Sequence, residues 1–279
     1  MKHFEGRVAV VTGAASGLGA ALVRAFAAEG MRVVVADIDV DGAAAVASEL
    51  TAAGHTAVSA RVDVGNPASL DALAELARER FGGCDLLAAN VGVQRIAPFD
   101  AMTRDEFAWL IQTNVIGTAD TVRSFLPQLR ASDDAHVLLT GSVNSLVSTP
   151  GLVGYATSKM AVLGLAEGLR LEFAEDGIPV TALLPGGMAT THLQSSDRAR
   201  PEHLGEAGSL DGAVIAKIAA ELSPTPESIV DPTYAIRNLI PALREAREVL
   251  VTHGPIPASF EPKLAALREA AARADDGAR

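Results

Sequence analysis

Between residues 8 and 185 the chain alternates short, near-continuously apolar runs with longer amphipathic ones. The apolar runs are Val8–Thr12, Arg32–Ala36, Thr56–Arg61, Leu86–Ala89, His136–Thr140 and Pro179–Leu184. Helical patterns fill the gaps at Leu18–Glu29, Asp41–Ala53, Pro67–Arg80, Arg104–Leu129 and Leu152–Glu175. A strand apolar on both faces must be covered on both, and helical crossovers between parallel strands supply that cover. Such crossovers are right-handed. The alternation therefore predicts an α/β fold, a doubly wound parallel sheet with helices on both faces. A further strand is expected at Glu248–Thr252, after a helix around Glu227–Ala242. No linker or low-complexity segment interrupts the pattern, so 1–279 is expected to form one domain. Ala189–Thr225 is the least regular stretch and is expected to be a mobile flap over a site. Glu261–Ala274 is expected to be a terminal helix.

Composition excludes several function classes. Hydrophobic residues make up 49% of the chain, enough for a sizeable core. The formal net charge of −11 argues against nucleic acid or an anionic membrane as partner. No apolar run approaches the length of a membrane span, and Val8–Val11 is too short for a signal-peptide core. A cytoplasmic location is expected. Cys84 is the sole cysteine, which excludes an internal disulfide and a cysteine metal cluster. His136, His192 and His203 show no metal-ligand spacing with carboxylates, so no metal is expected.

The first strand runs into Thr12-Gly13-Ala14-Ala15-Ser16-Gly17-Leu18-Gly19. Glycines here permit a tight turn and a close backbone approach to a pyrophosphate, and the following helix N-terminus offers amide donors. Gly13, Ser16, Gly17, Leu18 and Gly19 are therefore nucleotide-binding candidates. Asp37 closes the second strand, where a carboxylate can accept both hydroxyls of an adenosine ribose and would repel a 2′-phosphate. No Arg or Lys occupies loop positions 14 to 16, and Ile38 follows Asp37, so nothing basic nearby offsets that repulsion. Asp37 could instead be a helix cap, with Asp39 and Asp41 close by. Asp63 and Val64 end the third strand and could touch an adenine ring, or Asp63 could cap the helix from Pro67.

Tyr155 and Lys159 stand four apart in Gly154-Tyr155-Ala156-Thr157-Ser158-Lys159. On a helix they share a face. A cation beside a phenol favours the phenolate, so the pair is expected to lower the tyrosine pKa and serve as an acid/base for an alcohol or carbonyl. A surface Tyr and Lys on an amphipathic helix is the plainer alternative.

These motifs, with Asn90-Val91-Gly92, Asn114-Val115-Ile116-Gly117, Ser142 and Pro185-Gly186 followed by Thr190, resemble those of the short-chain dehydrogenase/reductases in order and separation over nearly the whole chain. The resemblance implies a single Rossmann-type domain with a seven-stranded parallel sheet and a nicotinamide cofactor, which Asp37 would restrict to NAD. It implies Tyr155 as proton donor or acceptor and Lys159 as the group that lowers its pKa and bonds the nicotinamide ribose. Ser142 would hold the substrate oxygen, Asn114 would anchor a water leading from Lys159 to solvent, and Thr190 would bind the carboxamide. Ile38, Asn90, Gly92, Pro185, Gly186 and Met188 complete the cofactor candidates. Two positions depart from the family pattern. Ala89 stands where the family usually has an asparagine, and Gly141 where it usually has a serine.

The resemblance implies an NAD-dependent oxidoreductase acting on a secondary alcohol or ketone. A non-catalytic redox sensor or scaffold would be expected to have lost Tyr155, Lys159 or Ser142. Epimerase or dehydratase relatives generally carry a larger substrate domain. Gln94, Val143, Asn144, Leu152, Gly187, Met188 and His192, with Ser142 and Tyr155, are the substrate-pocket candidates, a mainly apolar set. Arg95 is its one basic candidate, and it could as easily face solvent. The run Val249–His253 resembles that of relatives acting on aromatic or hydrophobic alcohols. Apolar residues on more than one face of Leu152–Glu175 point to a homodimer or homotetramer.

Overall fold

The computed structural model describes residues 1–186, 192–205, 239–245 and 249–252. Its strands are β1 (Val8–Thr12), β2 (Arg32–Asp37), β3 (Ala57–Arg61), β4 (Leu86–Ala89), β5 (His136–Thr140), β6 (Val180–Pro185) and β7 (Val249–Thr252). They form one sheet in the order β3-β2-β1-β4-β5-β6-β7, with every adjacent pair parallel. The helices are α1 (Gly17–Ala28), α2 (Val40–Ala52), α3 (Pro67–Phe81), α4 (Arg104–Ile111), α5 (Gly117–Ala131), α6 (Val153–Glu172), α7 (His192–Arg198) and α8 (Leu239–Arg244).

Successive residues of the central strands enter opposite cores. Ala9 and Val11 pack with Leu22, Phe26 and Leu243 on one face, while Val10 packs with Leu70, Phe125 and Leu129 on the other. Leu86 and Leu87 divide in the same way. This double burial is why the strand sequences read as unbroken apolar runs. Strand order reverses direction between β1 and β4, so the loops after these strands diverge and leave a crevice at their carboxyl ends.

Local chemistry sets the helix ends. Asn66 caps α3 by accepting from the Ala68 amide, Pro67 follows it, and Gly82 ends the helix at φ 89°. Thr103 and Glu106 form a reciprocal capping box on α4.

One expectation is corrected. The single helix expected over Arg104–Leu129 is α4 and α5 joined by a π-helical turn, Gln112–Ile116. The turn adds a residue where Asn114 is drawn sideways into hydrogen bonds with Val93 and Ser158. Apolar periodicity carries no trace of such a pull. Of the stretch expected to be a flap, 192–205 is described, as α7 and a 3-10 turn, Glu202–Leu204, and the rest lies outside the described residues. The α7 sequence, His-Leu-Gln-Ser-Ser-Asp-Arg, has no apolar stripe to mark it. The tail at Glu261–Ala274 and most of the helix at Glu227–Ala242 lie outside the described residues.

Candidate active site

The carboxyl ends of β1, β2, β4, β5 and β6 open onto a cavity of about 1020 Å³ that reaches from Asp37 to Tyr155. At its floor, β1 turns at Gly13 (φ 69°) and α1 begins at Gly17 (φ 53°). A Cβ on Gly19 would overlap the Gly13 carbonyl and lie 2.8 Å from Asn90 Nδ2, so only hydrogen fits. Asn90 fixes this turn: its Nδ2 donates to the carbonyls of Thr12 and Gly13, and its Oδ1 accepts from Thr140. The first turn of α1 carries no acidic or basic side chain, so what it offers a ligand is main chain.

At the far end, Asp37 Oδ2 accepts from the Ala15 amide and Oδ1 from the Asp39 amide. The cap of α2 is Asp39, which accepts from Gly42. Asp37 is thus held at the rim with lone pairs to spare, beside exposed Ile38. Asp63 turns its Oδ1 to the Gly65 amide, while Asn66 is the true cap of α3. Val64 is packed where a Cβ on Gly117 would come within 2.9 Å of its Cγ2. Both Asp63 and Val64 line the cavity.

The chemical end is built by β5, the turn after it and α6. Ser142 precedes a 3-10 turn, Val143–Ser145, and its Oγ accepts the Asn144 amide at 3.1 Å. Ser142 also acts on the Tyr155 phenol, favouring its ionised form. Ser145 Oγ donates to the Lys159 carbonyl at 2.7 Å, tying this turn to α6. Lys159 Nζ donates to the Thr140 carbonyl at 2.8 Å and lies 5.8 Å from the Tyr155 ring centre. A Cβ on Gly92 would stand 2.9 Å from that ammonium, which explains a glycine there. Gly141 is explained likewise: a Cβ would collide with Leu184 and come 2.9 Å from Ser145 Oγ.

The expected lowering of the Tyr155 pKa is corrected. Burial pushes the phenol up to about 12, against the opposing pull of Ser142. The Lys159 ammonium points to Thr140 instead, and burial brings its own pKa down to about 8. Asn114 Oδ1 accepts from the Val93 amide, and its Nδ2 donates to the Val93 carbonyl and to Ser158. The side chain thus holds the loop after β4 against Lys159.

Gln94, Val143, Asn144, Leu152, Pro185, Gly186 and His192 all line the cavity. Gly187, Met188 and Thr190 lie outside the described residues. Trp109, Ser195, Arg198, Ala199 and Pro201 line it too, without having been singled out in the sequence. Arg198 comes within 3.9 Å of Asp39, which corrects the expectation that nothing basic lies near Asp37. Arg95 also differs from expectation. Its Nε donates to Glu106, which also receives Arg200 at 2.6 Å. Burial alone would raise the Glu106 carboxyl, but the Thr103 amide and the two guanidinium groups hold it below the usual range. The Arg200 guanidinium also lies over the Trp109 ring, at 5.9 Å. The capping box around Glu106 was readable from sequence, but its pairing with Arg200, 94 residues away, was not. Among the described residues there is no metal-binding cluster of His, Cys, Asp or Glu, and no helix long and apolar enough to cross a membrane.

A parallel sheet with a glycine turn at its switch point and a Ser-Tyr-Lys group in the same crevice defines a dinucleotide-binding oxidoreductase. The chain belongs to the short-chain dehydrogenase family, whose model matches residues 7–201. It is 34% identical over 199 residues to oxidoreductase UcpA of Escherichia coli, covering 71% of this chain and 75% of that protein. It is 32% identical over 188 residues to 2,5-dichloro-2,5-cyclohexadiene-1,4-diol dehydrogenase LinX of Sphingobium indicum, covering 67% of this chain and 75% of the relative. Among solved structures it resembles a short-chain dehydrogenase/reductase from Burkholderia phymatum in complex with NAD. The TM-score is 0.82 at 33% identity, with 91% of each chain covered.

Proposed function

We propose that this protein is an NAD-dependent dehydrogenase that interconverts a secondary alcohol and its ketone. The observation that carries the reading is the meeting of Ser142, Tyr155 and Lys159 at one end of the cavity whose other end holds Asp37. The glycine turn leaves room only for backbone beneath a pyrophosphate, and Asp37 keeps acceptor capacity for a ribose diol. These residues fit a nicotinamide dinucleotide, with Lys159 available to its second ribose. When bound, that cofactor gives or takes the hydride.

The remaining chemistry belongs to the chain. Ser142, with one lone pair engaged by the Asn144 amide, offers its hydroxyl to the oxygen that develops alkoxide charge. Tyr155 passes a proton to that oxygen in reduction and recovers it in oxidation. A phenol near 12 is in the required neutral form for reduction at pH 7. As a base it needs the field of nearby cations, of which Lys159 is one. Asn114 fixes the loop against which Lys159 rests. With Arg95 and Arg200 spent on Glu106, the pocket suits an uncharged, mainly apolar substrate. The NAD bound to the Burkholderia relative and the diol named for the Sphingobium relative both support this reading.

Measuring kcat/KM with NAD and NADP on one accepted alcohol tests the reading. Like charges in contact cost several kcal/mol, so NAD should be preferred by on the order of a hundredfold or more. Asp37→Ala should narrow that gap. Arg198, exposed and screened, should not reverse it. Equal use of both cofactors by the wild type would show that Asp37 does not read the ribose.

A further inference from the structure

Resting on the dehydrogenase reading, we propose that the site is built for a substrate with a second, uncharged oxygen near the reacting carbon. His192 and Asn144 would receive that oxygen while the first meets Tyr155 and Ser142. The class is a diketone, hydroxyketone or diol, rather than a simple ketone or a keto acid.

His192 is held in place by the sheet. The Gln94 amide, beyond β4, donates to Ser196 Oγ at 3.0 Å, and that buried hydroxyl donates to the His192 carbonyl at 2.7 Å. Ser195 Oγ donates to the same carbonyl at 3.1 Å. The imidazole consequently stands beside the phenol, with ring centres 6.1 Å apart and planes tilted by 58°. Its pKa is brought down to about 4 by burial and then by Lys159, so it is neutral at pH 7. A neutral imidazole can pair with a hydroxyl or carbonyl but brings no positive charge to a carboxylate.

Asn144 supplies the second polar group. It is 3% exposed and lines the cavity two residues after Ser142. Its side chain makes only long contacts within the protein, Nδ2 to the Val147 carbonyl at 3.4 Å and Oδ1 from Ser142 at 3.5 Å. An amide has two N–H groups and two acceptor lone pairs, so at least one of each remains. A buried amide with unspent capacity beside a reacting centre favours a ligand atom that can use it. The nearby arginines do not add a charge for a carboxylate. Arg95 and Arg200 share Glu106, and Arg198 faces Asp39.

The test compares cyclohexanone with the isomeric cyclohexanediones, with one NADH oxidised per carbonyl reduced. The carbonyl carbon gains the hydride and its oxygen gains the proton of Tyr155. The preferred dione should exceed cyclohexanone in kcat/KM by on the order of tenfold or more, mostly through KM. That ratio should fall toward one in His192→Phe and in Asn144→Ala. NADH binding, read from the fluorescence of Trp109, the only tryptophan, shows that each variant is folded. Equal turnover of all the ketones by the wild type would overturn the inference and leave the dehydrogenase reading intact. A ratio unchanged in both variants would do the same. No turnover of any ketone by protein that binds NADH would overturn both.

Discussion

Lys159 is 2% exposed, and the hydrogen-bond partner of its ammonium is a carbonyl oxygen, that of Thr140. Keeping it charged in the cofactor-free protein costs stability. The folded pKa, about 8, lies below the usual 10.5, so between these values the unfolded chain binds more protons than the native one. Stability from this group therefore rises with pH through that window, and the penalty is full below pH 8. Replacing Lys159 by Met should stabilise the empty protein at pH 7 by up to roughly 3 kcal/mol, with the gain shrinking toward pH 10. Urea titrations at pH 7 and pH 10 check this, and a pH-independent difference would contradict it. Tyr155 has the opposite sign. Its raised pKa favours the neutral folded form, and its contribution is lost as pH climbs from 10 toward 12. At this scale the sequence brought the candidate acid/base side chains together but did not give their electrostatics. Four-residue spacing puts Tyr155 and Lys159 on one face, but burial and the Thr140 carbonyl decide which way each pKa moves.

At the scale of elements, the site depends on how α7 is fastened. Ser196 joins it to the loop after β4, and Arg200, just beyond it, reaches Glu106 on α4 beside Arg95. Glu106→Ala would leave two guanidinium groups in a buried place without their carboxylate. Loss of one partner in such a buried cluster costs about 3–5 kcal/mol. We expect a thermal midpoint lowered by several degrees and a raised KM for substrate, both measurable on the purified variant. An unchanged midpoint would mean that the cluster does not fasten α7. Elements defined by backbone or double burial were legible in the sequence, including the glycine turn at Gly13 and Gly19 and the apolar strands. Elements defined by distant side-chain partners were not, namely the π-helical turn at Asn114 and the polar helix α7. Nothing in a local window marks Val93 as the partner of Asn114, or Glu106 as the partner of Arg200.

At the scale of the whole molecule, α6 and the π-helical turn beside it leave apolar side chains in water. Ile116 is 42% exposed, Met160 39% and Val153 36%. Exposed apolar side chains on adjoining helices favour association of like faces, and a two-fold axis satisfies it. We expect sedimentation velocity to give a dimer or tetramer at micromolar protein, and Met160→Glu with Ile116→Glu to shift it toward monomer. A wild-type monomer under those conditions would contradict the expectation. The most direct test of the account concerns Tyr155, in single-turnover mixing of an accepted ketone with NADH-loaded protein. Tyr155→Phe removes one hydroxyl and keeps the ring. The account predicts that NADH binding is retained while the hydride-transfer rate falls by at least about a hundredfold. A near-normal rate in Tyr155→Phe would contradict it.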